Sequence, residues 1–270
     1  MFDDVRAREL KEEYKSRNIL DEKAFYDIWR EDISKDKNLM SRALNGGIVS
    51  DCFSWVFLSG YQSAISHTFS EVNKDDWASF AVSEDKRGEK PGLSWTNSDG
   101  VFVLDGYKTW VAGVGQTRQL VVKAGRGEGA LYFCVDRETE GLSFERKEKG
   151  FLPEMSEGIA CFNDVTLSHD KLVSHERVHL FGKSEILYIY LSFCGLVIGH
   201  SDDETMSEAC WRLAKTIGTA LQNDDYSEIK NIDHQIQKIR SKGQDSINGV
   251  PGWESDQKLI AMYSKGIQRN

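Results

Sequence analysis

The spacing of hydrophobic residues changes twice along this chain of 270 residues. Up to about residue 75, apolar side chains recur every three or four positions, the repeat of a helix with one buried face. From 76 to 175 the apolar runs are short and separated by turn signals, which is typical of strands. From 176 to 270 the helical repeat returns. The pattern predicts an α+β fold of three sections: an N-terminal helical domain (1–75), an antiparallel β-sandwich or barrel (76–175) and a C-terminal helical bundle (176–270).

Three helices are predicted in the first section. A charged helix covers Val5 to Arg17, and a second begins after Asp21, a residue suited to the N-cap position. The third runs from about Asn38 to Phe69, and Gly46-Gly47 within it indicates a bend or a close contact with another helix. Its stripe for burial consists of Leu44, Ile48, Cys52, Trp55, Val56 and Ser59.

The last section has two helical stripes and a final helix from about Trp253. The first stripe is Met206, Cys210, Leu213, Ala214, Ile217 and Leu221. The second has near-heptad spacing and consists of Ile229, Ile232, Ile236 and Ile239. Because a long exposed seam of isoleucines would be a solubility liability, the second stripe predicts a homodimer formed by helix packing.

Turn signals are dense in the middle section, at residues 97–100, 105–106, 125–129 and 140–141. Asp105-Gly106 lies between apolar runs and predicts a tight hairpin, since both residues tolerate a positive φ. Lys108, just after it, is expected to be a solvated turn residue.

Six segments of the middle section follow one another in an order known from one protein family. They are Trp77 to Glu84, Val101 to Trp110, Leu120 to Val122, Ala130 to Asp136, Gly141 to Ser143 and Cys161 to Leu167. In this order they resemble the middle β-domain of the acyl-CoA dehydrogenase family, over residues 77 to 182. The family's helix–strand–helix layout agrees with the three predicted sections.

The resemblance implies a flavoprotein oxidoreductase that uses FAD and acts on the CH–CH group of an acyl thioester in fatty acid metabolism. The partner would be an acyl-CoA or a thioester on a carrier protein. Carried over position by position, the cofactor-binding residues are Phe80 and Val82 beside the flavin ring, Ser83 at its pyrimidine end, Trp110 covering the ring, and Ala112.

The chain also departs from the family's pattern. Ala112 stands where the family has a Thr or Ser that bonds the flavin N5, so only a backbone N–H is offered there. The family's G-S-D segment, which serves ligand phosphate and acyl groups, is absent, and Arg87 to Gly92 replaces it with a shorter loop. The two family segments that hold the dinucleotide across a subunit interface have no clear counterpart. The catalytic carboxylate is not identified, because the segment Tyr263 to Gly266 has no glutamate; Glu254 or Asp256 would have to substitute. The alternative is therefore a non-catalytic binding or partner subunit of the same fold.

A second alternative comes from His175-Glu-Arg-Val-His179, which spells H-E-x-x-H. On a helix this spacing puts two imidazoles on one face for zinc, with Glu176 as the base of a hydrolase. A polar helix start is the competing interpretation, because Glu176 would sit in a favourable first turn.

Net charge and cysteine spacing argue against a nucleic-acid-binding protein and against a disulfide-linked one. The net charge is −9, which argues against a nucleic-acid partner because phosphate binding needs a basic face. The five cysteines show no CxxC spacing and sit among apolar residues, which predicts buried free thiols in a reducing, cytoplasmic compartment. No signal peptide is recognised, and the apolar stretch from Ile186 to Ile198 is too short for a membrane span.

Overall fold

The computed structural model of the chain describes residues 2–14, 18–247 and 249–269. Helices and strands follow the predicted order of helices, then strands, then helices. The helices are α1 (Asp4–Tyr14), α2 (Glu22–Ile28), α3 (Leu39–Val49), α4 (Phe53–Thr68), α5 (Phe181–His200), α6 (Glu204–Asn223), α7 (Ile229–Ser246), α8 (Trp253–Asp256) and α9 (Lys258–Arg269). The strands are β1 (Ala78–Ala81), β2 (Ser94–Ser98), β3 (Val101–Ala112), β4 (Gln119–Ala124), β5 (Leu131–Asp136), β6 (Leu142–Arg146) and β7 (Glu157–Leu167).

The chain divides into two compact units. The first, here called the helical unit, comprises Met1–His67 and Leu180–Asn270. The second, here called the β-unit, is Thr68–His179.

The β-unit is a sandwich of two sheets. One sheet has the order β1-β4-β5 and the other has the order β2-β3-β7-β6. Both contribute side chains to one apolar core, from Ala81, Leu120 and Phe133 in the first sheet to Leu104 and Phe162 in the second. The predicted sandwich is confirmed, with one difference: β1 pairs with β4 in parallel, while the other pairs are antiparallel.

The hairpin predicted at Asp105-Gly106 is wrong. The tight turn lies at Asp99-Gly100, between β2 and β3, where φ is 54° and 83°. Gly106 lies within β3 at a break in its register with β7, with φ 123°. A Cβ on Gly106 would come within 2.5 Å of the carbonyl oxygen of Gly92, so glycine is needed there for close approach of another segment.

The helical unit is built around close contacts of α3 with α5. A Cβ on Gly47 would lie 1.9 Å from the carbonyl oxygen of Ser192, and one on Gly195 would lie 2.1 Å from that of Leu44. Gly47 therefore marks a close helix contact, one of the two outcomes predicted for the glycine pair. The predicted stripe on α3 and α4 is buried, as is the stripe on α6.

The single helix predicted from Asn38 to Phe69 is wrong, because the chain leaves the helical conformation at Ser50. Tertiary hydrogen bonds lie at the break: the His200 Nε2 lies 2.8 Å from the Ser50 carbonyl oxygen, and the Asp51 carboxylate accepts from the Ile19 N–H at 2.7 Å. The Asp21 cap is confirmed, since its side chain accepts from the Ala24 N–H at 2.9 Å. The predicted Val5–Arg17 helix is described only to Tyr14, since residues 15–17 lie outside the described residues.

The prediction that the second isoleucine stripe is exposed on a single chain is also wrong. Ile232 and Ile236 are fully buried, Ile239 is nearly so and Ile229 is half-buried, within the helical unit of one chain. Their spacing therefore reflects packing inside the unit and gives no support to a dimer.

One helical segment, Val178–His200, is long and apolar enough to cross a membrane by length and composition, contrary to the expectation from residues 186–198 alone. Most of its apolar window, 78%, is buried inside the protein, as in the core helix of a soluble protein.

Candidate functional site

The residues expected to contact a flavin lie where the end of β1 runs alongside the end of β3, in opposite directions. Two hydrogen bonds join these segments. The Thr109 N–H donates to the Ser83 carbonyl oxygen at 2.9 Å, and the Ala112 N–H donates to the Ser79 Oγ at 3.2 Å. These bonds lie on either side of Trp110, so Trp110 is in the segment directly beside residues 79–83.

The five predicted contact residues differ in exposure. Val82 is 38% exposed, Ser83 is exposed and Trp110 is half-buried. Phe80 is 8% exposed, and its ring packs on the rings of Phe69 and Tyr132, with centroids 4.9 and 6.2 Å away.

Ala112 is fully buried and its backbone groups are both engaged. Its N–H bonds Ser79, and its carbonyl oxygen accepts from the Thr117 Oγ1 at 2.9 Å. The Ala112 amide therefore bonds the protein itself in this structure. Of the predicted flavin contacts, Ser83 and Trp110 lie on neighbouring segments, whereas the Ala112 amide would have to leave Ser79 before it could bond a ligand.

An ion pair lies where the end of β1 runs alongside β3. Lys108, expected to be solvated, has a side chain only 1% exposed, and its Nζ donates to the Glu84 Oε1 at 2.7 Å. Burial opposes ionisation of Glu84, but the hydrogen bond and charge of Lys108, helped by Arg126, hold the Glu84 pKa below its ordinary value. For Lys108 burial prevails, and its pKa is lowered. The pair connects β3 to the turn after β1 that carries Ser83.

The zinc hypothesis is not supported. The segment from His175 to His179 forms a turn and the start of a short 3₁₀ segment, so the helix that would align the two imidazoles is absent. His175, Glu176 and His179 are all exposed. Among the described residues no group of three or more His, Cys, Asp or Glu side chains could hold a metal ion.

The helical unit contains a carboxylate that the sequence patterns did not reveal. Glu185 lies in the first turns of α5, is half-buried, and lies beside Tyr263 on α9. Burial raises the Glu185 pKa from 4.5 to about 7, and hydrogen bonding by the Tyr263 hydroxyl, which favours the ionised form, opposes the rise. Burial and the neighbouring Glu185 raise the pKa of Tyr263. A carboxyl group that titrates near neutral pH is suited to accept a proton.

The two carboxylates considered as substitutes are less suited. Glu254 is exposed, and Asp256 is buried but has an ion pair with Lys258 at 3.6 Å. Two features of the sequence point to the buried Lys108 and to Glu185. Lys108 continues the alternation of buried positions at 102, 104 and 106 along β3, and Glu185 is an isolated acid at the start of a long apolar helix.

The arrangement of elements defines the fold class: the chain has the acyl-CoA dehydrogenase-like fold, over nearly its whole length. No protein-family model and no curated protein matches the sequence.

Three solved structures illustrate the likeness. Butyryl-CoA dehydrogenase from Megasphaera elsdenii is 11% identical with a TM-score of 0.63, and the match covers 99% of each chain. A glutaryl-CoA dehydrogenase from Mycobacterium smegmatis, in complex with FADH2, is 9% identical with a TM-score of 0.60, covering 96% of this chain and 90% of that one. The prolyl acyl carrier protein oxidase AnaB is 11% identical with a TM-score of 0.65, covering 97% and 92%.

Proposed function

We propose that the protein is a flavin-dependent oxidoreductase that acts on the CH–CH group of an acyl thioester, with Glu185 as the base. The observation that carries the proposal is the position of Glu185, a half-buried carboxylate on α5 beside Tyr263, in a chain with this fold; burial there raises the Glu185 pKa to about 7. The β-unit contributes the second support, since Ser83, which is exposed, and Trp110, which is half-buried, lie on adjacent segments.

The chemistry of the base follows from its surroundings. Removal of the α-proton of a thioester requires an ionised carboxylate, and a pKa of about 7 leaves a large ionised fraction at neutral pH. Burial makes that carboxylate a stronger proton acceptor than an exposed one. The Tyr263 hydroxyl stabilises the ionised carboxylate, and after transfer the proton would reside on a Glu185 oxygen.

FAD is the proposed cofactor, and when bound it would accept the hydride from the β-carbon of the acyl group. Trp110 would cover the flat ring with its indole, which excludes water from one face. The Ser83 hydroxyl would bond the polar edge of the ring, with Val82 and Phe80 beside it.

The substrate class rests on the structural neighbours. Two of them are named for acyl-CoA substrates and one for a prolyl acyl carrier protein. We infer an acyl-CoA or an acyl-carrier thioester as the partner of this chain. A cytoplasmic location rests on the cysteine usage of the sequence, and a place in fatty acid metabolism rests on the resemblance; both remain proposals.

The direct experiment is to purify the protein, record its visible spectrum with and without added FAD, and then add a panel of acyl-CoA and acyl-carrier thioesters without oxygen. We expect flavin absorbance that is bleached by at least one saturated thioester. Absence of flavin bands together with absence of FAD binding would contradict the proposal.

The second candidate function is a non-catalytic binding subunit of the same fold. The observation favouring it is the Ala112 amide, which is bonded to Ser79. A protein that binds thioesters, with or without FAD, but never transfers electrons from them would support this alternative.

If Trp110 and Ser83 contact the flavin, substituting either one should weaken FAD binding. Trp110→Ala should weaken FAD binding about tenfold to a hundredfold, because a stacked aromatic ring contributes roughly 1–3 kcal/mol. Ser83→Ala should weaken it about fivefold to tenfold, the effect of one lost hydrogen bond. Fluorescence titration with FAD measures both.

Ser94→Ala is the matched control for the serine variant, since Ser94 is also an exposed serine of the β-unit and its hydroxyl donates to the Asp105 carbonyl oxygen at 3.2 Å. Its FAD affinity should equal that of the native protein. Native affinity in Trp110→Ala would place the flavin elsewhere.

Substituting Tyr263 should change the pH dependence of flavin reduction. Because its hydroxyl stabilises the ionised form of Glu185, Tyr263→Phe should raise the Glu185 pKa above about 7. The ionised base then appears only at higher pH, so the acidic limb of the rate of flavin reduction should move upward by about one pH unit. Stopped-flow reduction over a pH series measures the shift, and a downward shift would contradict the assigned bond.

A further inference from the structure

A buried carboxylate joins three helices of the helical unit. Asp233 on α7 is 1% exposed. Its Oδ1 accepts from the Tyr190 hydroxyl at 2.7 Å and the Gln237 Nε2 at 3.1 Å. Its Oδ2 accepts from the Ser264 Oγ and the Gln268 Nε2, both at 2.9 Å. One side chain thus bonds α5, α7 and α9.

This arrangement is unusual for a buried acid. In the described part of the chain no Lys, Arg or His forms an ion pair with Asp233, and its hydrogen bonds come from neutral donors. Burying a carboxylate without a cation is unfavourable unless its oxygens are fully bonded. Asp233 therefore depends on its donors, and the positions of those donors depend on Asp233.

The donors flank the Glu185–Tyr263 pair in sequence. Ser264 directly follows Tyr263, and Gln268 lies one turn later on the same face of α9. Tyr190 lies on α5, five residues after Glu185. Two bonds one turn apart fix the rotation of α9 about its own axis, and the bond to Tyr190 links that helix to α5.

We propose that Asp233 is a positioning residue that holds α9 so that the Tyr263 hydroxyl stays on the Glu185 carboxylate. The proposal rests on the proposed role of Glu185 as a base, but it concerns the geometry of the pair and can be tested without substrate. Besides Tyr263, the titratable groups facing the pair are Tyr61 on α4 and Tyr190 on α5, and Arg240 on α7 faces Tyr190.

The test is a double-mutant cycle read at Glu185. The Glu185 pKa is measured by carboxyl ¹³C NMR of the ligand-free protein, with the signal assigned by its loss in Glu185→Gln. Asp233→Asn keeps the shape but leaves two donors facing an NH₂ group. Loss of the Tyr263 bond should raise the Glu185 pKa by about one unit, as in Tyr263→Phe. The double variant Asp233→Asn/Tyr263→Phe should show no further rise, because both changes remove the same bond.

Asp225→Asn is the control, since Asp225 is an exposed acid of the same unit whose side chain accepts from the Ser227 N–H at 3.0 Å. It should leave the Glu185 pKa unchanged. If Asp233→Asn does not fold, Ser264→Ala, which keeps the carboxylate, should produce part of the same rise.

A folded Asp233→Asn with an unchanged Glu185 pKa, or a rise that adds to that of Tyr263→Phe, would overturn the proposal. If Asp233→Asn does not fold, an unchanged Glu185 pKa in Ser264→Ala would also overturn the proposal. The proposed function fails separately: the cycle would still hold if no acyl thioester reduced the flavin.

Discussion

Glu185→Gln should reduce the rate of flavin reduction by an acyl thioester about 10²- to 10⁴-fold, the usual contribution of a general base. The change keeps the size of the side chain and leaves Tyr263 a partner, so the loss reports on proton transfer. Anaerobic stopped-flow measurement on the FAD-loaded protein gives the rate. FAD affinity should not change, because the predicted flavin contacts belong to the β-unit.

Glu254→Gln is the matched control, because Glu254 is an exposed glutamate of the same unit. Its rate should stay within about threefold of the native rate, as expected for a group without a role in proton transfer. A native rate in Glu185→Gln would mean that another group takes the proton, and the proposed mechanism would then be wrong.

The same variant should be more stable than the native protein at neutral and alkaline pH. The folded-state pKa of Glu185, about 7, lies above its ordinary value of 4.5, so the native free energy of unfolding falls as pH rises between those values. Because glutamine does not ionise, the free energy of unfolding of the variant does not fall for this reason. The difference in stability should grow to about 1–3 kcal/mol between pH 4.5 and 7 and then level off. Urea denaturation at several pH values measures it.

Glu84→Ala should lower the free energy of unfolding by about 2–3 kcal/mol, because it leaves the buried Lys108 ammonium without its partner. The loss should shrink as pH rises. A buried lysine with a lowered pKa releases its proton more readily in the folded state, and the neutral amine costs less to bury. Denaturation near pH 7 and near pH 9.5 tests the magnitude and the sign.

Two further variants separate the buried pair from ordinary surface charges. Glu145→Ala removes the Lys90–Glu145 pair, whose side chains are 32% and 56% exposed, and should cost less than about 1 kcal/mol. The double variant Lys108→Met/Glu84→Gln replaces the ion pair by uncharged groups and should lie within about 1 kcal/mol of the native protein. Equal losses in Glu84→Ala and Glu145→Ala would contradict the burial of Lys108.

Local patterns predicted the sandwich and the helical sections because burial on one face imposes a period that is visible in the sequence. The stripes on α4 and α6 were read correctly for this reason. The same rule failed at Asp105-Gly106. Two Asp-Gly pairs satisfy the local requirement for a turn, and only the approach of Gly92 distinguishes the bulge from the hairpin.

For the candidate site, the resemblance supplied Ser83 and Trp110, and the structure placed them on adjacent segments. It could not supply Glu185, because no local motif surrounds that residue. A pKa depends on neighbours from distant parts of the chain, and the partner of Glu185 lies 78 positions later, at Tyr263.

By itself, the sequence determined the order of helices and strands and the faces that they bury, since these follow from residue spacing and local backbone preference. The tertiary structure decided which polar groups lose water and which partners they gain. It made Lys108 a buried ion-pair partner, engaged the Ala112 amide with Ser79, turned the isoleucine seam inward and placed Glu185 against Tyr263. The reason is physical: desolvation and hydrogen bonding act between residues far apart in the chain, and they depend on distances that no repeat in the sequence encodes.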